Sequence, residues 1–115
     1  MSKIKVIMCP ADRAPYVTNI ESSLKNMQNI VGGNIEVVRL TQTCLAVMNE
    51  EGRILAMPEN KSFPLPKHCG DIFICGEDGE EFSDLTEFDK KYFLQAAKMR
   101  WQKWQEVRNN DQVGN

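Results

Sequence analysis

The longest regular pattern in the sequence lies near its C-terminus, from about Asp84 or Thr86 to Val107. Apolar residues recur there every three or four positions, which predicts an α-helix about 30 Å long. One apolar stripe consists of Phe88, Tyr92, Ala96 and Met99, and a second beside it of Phe93, Ala97, Trp101 and Trp104. Because this helix is about as long as a small domain is wide, the fold must be one in which the helix lies against the other elements.

The remaining apolar residues predict short strands and a second helix. Residues 3–9 form an Ile- and Val-rich segment typical of a strand, and residues 34–40 and 71–75 predict two more. Between the first two, apolar residues at helical spacing predict a helix from Val17 to about Val31. Gly32 and Gly33 then end this helix, because glycine readily adopts the left-handed backbone conformation that closes one.

A β-hairpin is predicted in the middle of the chain. Its strands would be Thr41–Met48 and Arg53–Met57, joined by residues 49–52 with Gly52 at a positive φ angle. The predicted order of elements is therefore β-α-β-β-β-β-α. Short turns between strands favour a mixed or antiparallel sheet with both helices packed on it, so we expect a single α+β domain over residues 1–108 and a frayed polar tail over 109–115.

Composition excludes several classes of protein. The chain has 115 residues, 42% of them hydrophobic and 26% charged, with a net charge of -2. These values are typical of a soluble globular domain. The near balance of charge argues against a general nucleic-acid binder, which is usually basic, and against a mimic of DNA, which should be strongly acidic. No apolar run approaches the roughly 20 residues of a membrane-spanning helix, so we expect no membrane association.

The N-terminus and the cysteines indicate the compartment. Residues 1–8 lack the long apolar region of a signal peptide, so we expect a cytoplasmic protein. The four cysteines (Cys9, Cys44, Cys69 and Cys75) form no close pair in sequence and should be free thiols there. Cys44 and Cys75 lie in apolar runs, where a thiol behaves as a small buried hydrophobic group.

Charge is segregated around the start of the C-terminal helix. Residues 77–89 hold seven acidic residues and no basic one, whereas residues 90–108 hold six basic residues and one acidic. Acidic groups at the start of a helix and basic groups at its end stabilise the helix dipole, by about 0.3–1 kcal/mol each. A cation site or a surface for a basic partner is the alternative, although the stretch lacks the residue pattern of a calcium-binding loop. Both interpretations remain open.

The end of the same helix carries the candidate partner-binding residues. Arg100, Trp101, Lys103 and Trp104 place basic and aromatic side chains together, and Trp and Arg often dominate the energetics of protein interfaces. Stacking on nucleic-acid bases is another use of such a segment, but the footprint is small and the whole chain is nearly neutral. We therefore expect this surface to bind a partner protein, or a second copy of the chain as a homodimer.

The only histidine, His68, raises three further alternatives. With Arg13, Lys61 and Lys67 it would line a pocket that binds a small ligand such as a nucleotide, in an oligomer. With Cys69 and Cys75 it invites a zinc site, but structural zinc ligands usually lie two to four residues apart, so we expect no metal. With Cys69 alone it would form a catalytic pair, yet adjacent residues in an extended segment point in opposite directions. We expect no cofactor and no catalytic residues.

Several segments together resemble domain-of-unknown-function family 3846. They are the run from Pro15 to Leu24, the stretch Met27–Val38 with its Val-Gly-Gly before Ile-Glu-Val-Val, the segment Asn49–Leu55, and the strand Gly70–Gly76. The resemblance covers roughly residues 3–90 and leaves the Trp-bearing end outside. It implies a small bacterial protein frequently carried by phages and mobile elements, with no catalytic residues to transfer. We accordingly expect a non-enzymatic modulator, or inhibitor, of a host process such as antiviral defence, which acts by contact with a host or phage protein.

Overall fold

The computed structural model of the protein describes residues 2–113, which form one α+β domain as the sequence predicts. Six strands and two helices are present in this part of the chain. In order they are β1 (Lys3–Cys9), β2 (Tyr16–Glu21), α1 (Leu24–Val31), β3 (Ile35–Thr41), β4 (Cys44–Asn49), β5 (Ile72–Asp78), β6 (Glu81–Ser83) and α2 (Glu87–Val113).

The strands form one antiparallel sheet in the order β2-β1-β5-β4-β3, and β6 pairs with β5 outside this path. Strand β1 pairs with β5 only through residues 7–9. The other half of that edge is occupied by the segment after β6, since the backbone N–H of Lys5 donates to Asp84 Oδ1 and the backbone N–H of Leu85 donates to the Lys5 carbonyl oxygen. The chain from β5 to α2 is thereby fixed against β1.

Both faces of the sheet are covered, which makes the domain three layers thick. Alternate residues of β4 and β5 point to opposite faces, as the two-residue period of a strand requires. On one face Ala46 and Ile74 pack in a cluster with Phe93 and Ala97 of α2. On the other face a second cluster contains Met27 and Val31 of α1 together with their strand neighbours Val6, Leu45, Val47 and Phe73. Each helix therefore covers its own hydrophobic core.

The segment from Tyr16 to Glu21 forms an edge strand, so the prediction of a helix beginning at Val17 is wrong for its first half. The spacing of Val17 and Ile20 fits a helix, but the β-branched side chains of Val17, Thr18 and Ile20 suit a strand. Six consecutive residue pairs with β1 decide in favour of the strand. The helix begins only after Ser23, whose hydroxyl oxygen accepts a hydrogen bond from the backbone N–H of Asn26 at 3.2 Å. Its end is confirmed, since Gly32 adopts φ 82°.

The predicted hairpin between residues 41–48 and 53–57 is also wrong. Residues 50–56 form successive turns in place of a second strand, and Gly52 is not among the residues with positive φ. Strand β4 instead forms a hairpin with β3 and pairs on its other side with β5. All six residues of β4 are buried, because a central strand with a core on each face is covered on both sides.

Helix α2 begins at one of its two predicted starts but ends beyond its predicted end. Thr86 caps the helix, because its hydroxyl oxygen accepts a hydrogen bond from the backbone N–H of Asp89 at 3.0 Å. The helix continues through residues 109–113, which the sequence assigned to a frayed tail. Residues 114 and 115 of that tail lie outside the described part.

Candidate functional site

The inner face of α2 is held to the sheet by apolar and polar contacts. Phe93 and Ala97 are buried in the core that the helix covers. Asp89 is buried as well, and its Oδ2 accepts a hydrogen bond of 2.6 Å from the Thr43 hydroxyl. These contacts fix the rotation of the helix about its axis, and hence which side chains point outward.

A row of large apolar side chains lies on the opposite, outward side of α2. Phe88 is 77% exposed, Tyr92 is 61% exposed and Met99 is 60% exposed. The rings of Phe88 and Tyr92 stack on each other with centroids 6.5 Å apart and planes 8° apart. We call Phe88, Tyr92, Gln95 and Met99 the outer row. Exposed apolar residues are ordinary when scattered, but a contiguous row is typical of an interaction surface.

The outer row has the spacing of a helix–helix seam. Its members follow one another at intervals of four, three and four residues, which keeps them on one narrow stripe of the helix. The row corresponds to the first of the two apolar stripes predicted from the sequence, with Gln95 in place of Ala96. A helix on one side of a sheet can bury one stripe against that sheet, so the other stripe is left for solvent or a partner.

Arg100, predicted to bind a partner, points inward instead. Its Nη1 donates hydrogen bonds to the backbone carbonyl oxygens of Asn60 at 3.0 Å and Phe63 at 2.6 Å. Asn60 is buried and donates through Nδ2 to the carbonyl oxygens of Cys9 and Gly70. Arg100 therefore has a structural role, because it ties α2 to the loop that follows residue 57.

The two tryptophans are half-buried and pack against each other. Their ring centroids lie 5.1 Å apart, with Lys61 Nζ at 5.9 Å and Arg108 Cζ at 5.3 Å from the centroid of Trp104. These distances are within the range of cation–π contacts. Of the four predicted partner-binding residues, Lys103 is exposed and the other three are half-buried. The tryptophan pair offers a smaller open surface than the sequence indicated.

Much of the acidic stretch 77–89 has intramolecular partners. Arg39 Nη2 lies 2.6 Å from Glu77 Oε1, and Asp84 and Asp89 make the hydrogen bonds described above. Glu87 pairs with Lys90 at 3.0 Å, and the hydrogen bond from Lys90 lowers the pKa of Glu87. Glu87 and Asp89 lie in the first turn of α2, where carboxylates stabilise the helix dipole. The last turn of α2 contains no basic residue, because the helix extends beyond Arg108.

A pocket of about 390 Å³ lies between the C-terminal end of α1 and the turn after β1. Arg13 borders it, together with Asp12, Asp71 and the backbone at Gly32 and Gly70. Of the four residues predicted to bind a small ligand, Arg13 is the one that this pocket contains.

His68 and Cys69 border a different pocket, of about 260 Å³, along with Glu50 and Arg53. The His68 ring also packs edge-on against Phe63, with the ring centroids 5.4 Å apart. Lys61 contacts Glu59 and Trp104, so the predicted set of Arg13, Lys61, Lys67 and His68 does not converge on one pocket. Lys61, Lys67 and His68 lie in the loop between residues 57 and 71, whereas Arg13 lies in the turn after β1.

Three of the four thiols are deeply buried. Burial raises the pKa of Cys9, of Cys44 and of Cys75 from the ordinary 9.0 to about 12 each. For Cys44 and Cys75 nearby carboxylates raise it further, whereas a hydrogen bond with Ser62 partly opposes the effect at Cys9. A thiol is nucleophilic only as the thiolate, so these three are unreactive near neutral pH. Cys69 is only half-buried.

One protein-family profile covers most of this domain. The sequence profile of the family described as Domain of unknown function (DUF3846) matches residues 4–98. The chain belongs to this family. No curated protein and no solved structure matches this chain. The matched region of this DUF3846 member contains Phe88, Tyr92 and Gln95, whereas Trp101 and Trp104 lie beyond it.

The described residues place limits on two other kinds of site. Among residues 2–109, whose side chains the structure describes, no three His, Cys, Asp or Glu side chains are grouped as a metal site requires. No helix in the same part of the chain is long and apolar enough to cross a membrane.

Proposed function

We propose that this DUF3846 member is a non-enzymatic protein-binding module whose binding surface is the outer face of α2. The observation that carries the proposal is the outer row, in which Phe88, Tyr92 and Met99 are all more than half exposed. Their burial against a partner would remove apolar surface from water, at about 25 cal/mol per Å². Three of the four thiols are buried and unreactive, which disfavours covalent catalysis through Cys9, Cys44 or Cys75.

The surface has the composition of an interface centre. Aromatic residues and methionine are enriched at such centres, and the flexible methionine side chain adapts to the shape of what it contacts. Exposed Lys91, Lys98 and Lys103 lie beside the outer row, so polar and charged groups surround the apolar centre. This arrangement of apolar centre and polar rim is typical of protein-binding surfaces.

A photo-crosslinking amino acid in place of Gln95 tests the proposal in living cells. We expect covalent adducts between this position and another polypeptide chain. The same adducts should disappear when Phe88→Gln and Met99→Gln are added, and should persist with Val107→Gln, a matched change at an exposed apolar residue off the row. A surface that gives no adduct, or adducts equally strong in all three backgrounds, is not the binding surface.

We further propose that the protein acts in the cytoplasm as a modulator of a host process such as antiviral defence, encoded by a phage or mobile element. The family resemblance of its sequence supports this proposal. Plating phages on hosts with known defence systems, with and without the protein, tests it. Higher plating efficiency is expected for wild type and for Val107→Gln, but not for Phe88→Gln with Met99→Gln. Equal plating with and without the wild-type protein would count against this role.

A second candidate function, binding of a small ligand, is favoured by the 390 Å³ pocket beside Arg13. The negative end of the α1 dipole, together with Asp12 and Asp71, counters the charge of Arg13. The pocket therefore suits a neutral or cationic ligand better than the nucleotide predicted from the sequence. A thermal-shift panel of nucleotides and polyamines tests this, with Arg13→Ala as the matched variant; the absence of any shift eliminates the candidate.

A further inference from the structure

We infer that strand β2 is a second interaction surface, at which the open edge of the sheet pairs antiparallel with β2 of a second copy of this chain. Strand β2 lies at one end of the strand order, with β1 on its inner side. The inference concerns a different surface from the outer row and does not depend on it. It rests on which backbone groups of β2 are free, and on which side chains a second β2 would place opposite them.

The backbone groups of Val17 and Asn19 point away from the sheet. The N–H of Ser22 donates to the carbonyl oxygen of Ser2 at 3.1 Å, in register with the pairs of β1 and β2. Even-numbered residues of β2 therefore bond to β1, because bonding residues alternate along an antiparallel pair. The backbone groups of Lys5, which lies opposite Asn19, agree with this alternation, since they bond to the segment after β6 on the other side of β1.

Two features limit the open edge to residues 16–20. Pro15 precedes β2 and has no N–H to donate. At the other end, the carbonyl oxygen of Glu21 already accepts a hydrogen bond of 2.9 Å from Nδ2 of Asn26 in the first turn of α1. Between these limits, no described residue other than a strand neighbour bonds to the free backbone groups. An extended strand is the element that pairs with such a row of N–H and carbonyl groups.

A second β2 fits this edge in one antiparallel register, centred on Thr18. In that register Val17 of each copy exchanges two hydrogen bonds with Asn19 of the other, so all the free groups find partners. Sliding one copy by two residues, the smallest step that keeps the alternation, places Pro15 opposite Asn19 or Glu21 opposite Val17. Hydrogen bonds are then lost, because the proline has no N–H and the carbonyl of Glu21 is already occupied.

The side chains brought together in this register are complementary. Tyr16 of each copy lies opposite Ile20 of the other, and Thr18 lies opposite Thr18, on the face of the sheet that carries α1. Aromatic residues opposite β-branched ones, and threonines opposite each other, are pairs that stabilise antiparallel strands. Tyr16 is 41% exposed and Val17 is 37% exposed, so a second strand can reach this edge. The two Glu21 carboxylates lie at opposite ends of the pair, so like charges do not meet.

Strand β3, at the opposite end of the strand order, lacks these properties. It carries the charged Glu36 and Arg39, and its register with β4 shifts between Arg39 and Thr41. Nη1 of Arg39 also donates to the carbonyl oxygen of Thr41 at 3.2 Å. Charged residues and irregular pairing discourage a further strand from adding to an edge. Residues 16–20 of β2 carry no charge and pair regularly with β1, so the second copy is expected at β2.

Pairing through β2 has a consequence for the outer row. A twofold axis through Thr18, perpendicular to the sheet, gives a closed dimer in which one continuous sheet runs through both copies. Because this axis keeps each face of the sheet on its own side, both α2 helices lie on the same face. The dimer would thus present two outer rows on one side, each free to bind.

Light scattering with size-exclusion chromatography, at high chain concentration because one strand edge is a small interface, tests the dimer. We expect wild type to elute at twice the chain mass of 13.1 kDa. Asn19→Pro removes an outward N–H and no bond to β1, so it should raise the dissociation constant at least about tenfold. Val37→Pro, which removes an outward N–H from β3, should leave the dissociation constant unchanged.

A second variant covers the case in which Asn19→Pro does not fold, as circular dichroism would show. Val17→Lys with Asn19→Lys keeps every backbone N–H but places lysine opposite lysine in the paired strands, where like charges repel. It should likewise weaken the dimer at least about tenfold. A wild type that is monomeric at every concentration, or a dimer that persists in the lysine variant, would overturn the inference.

Disulfide trapping in a Cys69→Ser background tests the register. Thr18→Cys should form an intermolecular disulfide under mild oxidation, because Cα atoms in such a non-hydrogen-bonded pair lie about 4.5 Å apart. Tyr16→Cys should not, since its two copies would lie about 13 Å apart along the strands, beyond the roughly 7 Å between Cα atoms that a disulfide spans. Trapping of Tyr16→Cys, or its absence for Thr18→Cys, contradicts the register.

Failure of this inference can be distinguished from failure of the proposed function. A monomeric wild type whose Gln95 crosslinker still attaches to another protein keeps the outer row as a binding surface and overturns pairing through β2. A dimer that is lost with Phe88→Gln and Met99→Gln but persists in the β2 variants shows self-association through the outer row, which also contradicts the inference.

Discussion

Nη1 of Arg100 lies 3.0 Å from the backbone carbonyl oxygen of Asn60 and donates a hydrogen bond to it. The same nitrogen donates to the carbonyl oxygen of Phe63. These two carbonyl groups belong to the loop whose buried Asn60 side chain also bonds to the end of β1. The contact therefore joins α2, the loop and the sheet. It engages the guanidinium of Arg100, a residue that the sequence predicts to bind a partner.

The substitution Arg100→Met should destabilise the domain by about 2 kcal/mol, because a charged donor to two carbonyl oxygens is lost. Urea unfolding monitored by circular dichroism measures this. Lys98→Met, at an exposed position two residues earlier, should change the free energy of unfolding by no more than about 0.5 kcal/mol. Equal effects of the two substitutions would show that the Arg100 contacts do not stabilise the fold.

Gly76→Ala should destabilise the domain by about 3 kcal/mol or more. A Cβ atom at Gly76 would lie only 2.0 Å from the backbone carbonyl oxygen of Asp84. That carbonyl cannot easily move, because both Asp84 and Leu85 bond to Lys5 of β1. Thermal unfolding measures the loss. As a control, Gly79→Asn at φ 64° in open space should cost less than about 1 kcal/mol, since asparagine tolerates this conformation.

Cys69 should be the thiol that reacts in the native protein. The other three cysteines are buried with their pKa raised to about 12, whereas Cys69 borders a surface pocket. Titration with a chromogenic disulfide reagent near pH 8 should give one fast equivalent, and three more after denaturation. Cys69→Ser should remove the fast phase and Cys75→Ala should retain it. More than one fast equivalent in wild type would contradict the burial of the other thiols.

The free energy of unfolding should fall as pH rises from 9 toward 12. In the unfolded chain the three buried thiols lose their protons near the ordinary pKa of 9.0, while in the native protein they keep them to about 12. The native state then binds more protons, so rising pH favours unfolding, and this loss is absent below pH 9. Urea unfolding midpoints, determined from about pH 8 to about pH 10.5, measure the slope of the free energy of unfolding against pH. Cys9→Ala should make it shallower; an unchanged slope would contradict this origin.

The fold class was predictable because it depends on local patterns that agree with one another. The apolar runs at residues 3–9 and 72–75 alternate toward two cores, and Gly32 ends α1 where glycine is required. The strand at Tyr16–Glu21 was not predictable in this way. Its apolar spacing suits a helix whereas its β-branched residues suit a strand, and only pairing with β1 decides between them.

The candidate site was predictable in part. The sequence showed two apolar stripes on the C-terminal helix but not which one faces the sheet. Asp89, bonded to Thr43, and Arg100, bonded to Asn60, set that rotation through contacts 46 and 40 residues away along the chain. The emphasis on Trp101 and Trp104 followed from residue type alone, whereas exposure identifies Phe88, Tyr92 and Met99.

By itself the sequence determined the class of the domain, its long C-terminal helix, the end of α1 and the segregation of charge around α2. All of these depend on residues close together in the chain, whose spacing and conformational preferences act locally. The tertiary structure alone decided the edge strand β2, the central position of β4 and the outward side of α2. Those features depend on which distant segments pair and pack, and local spacing is compatible with more than one such arrangement.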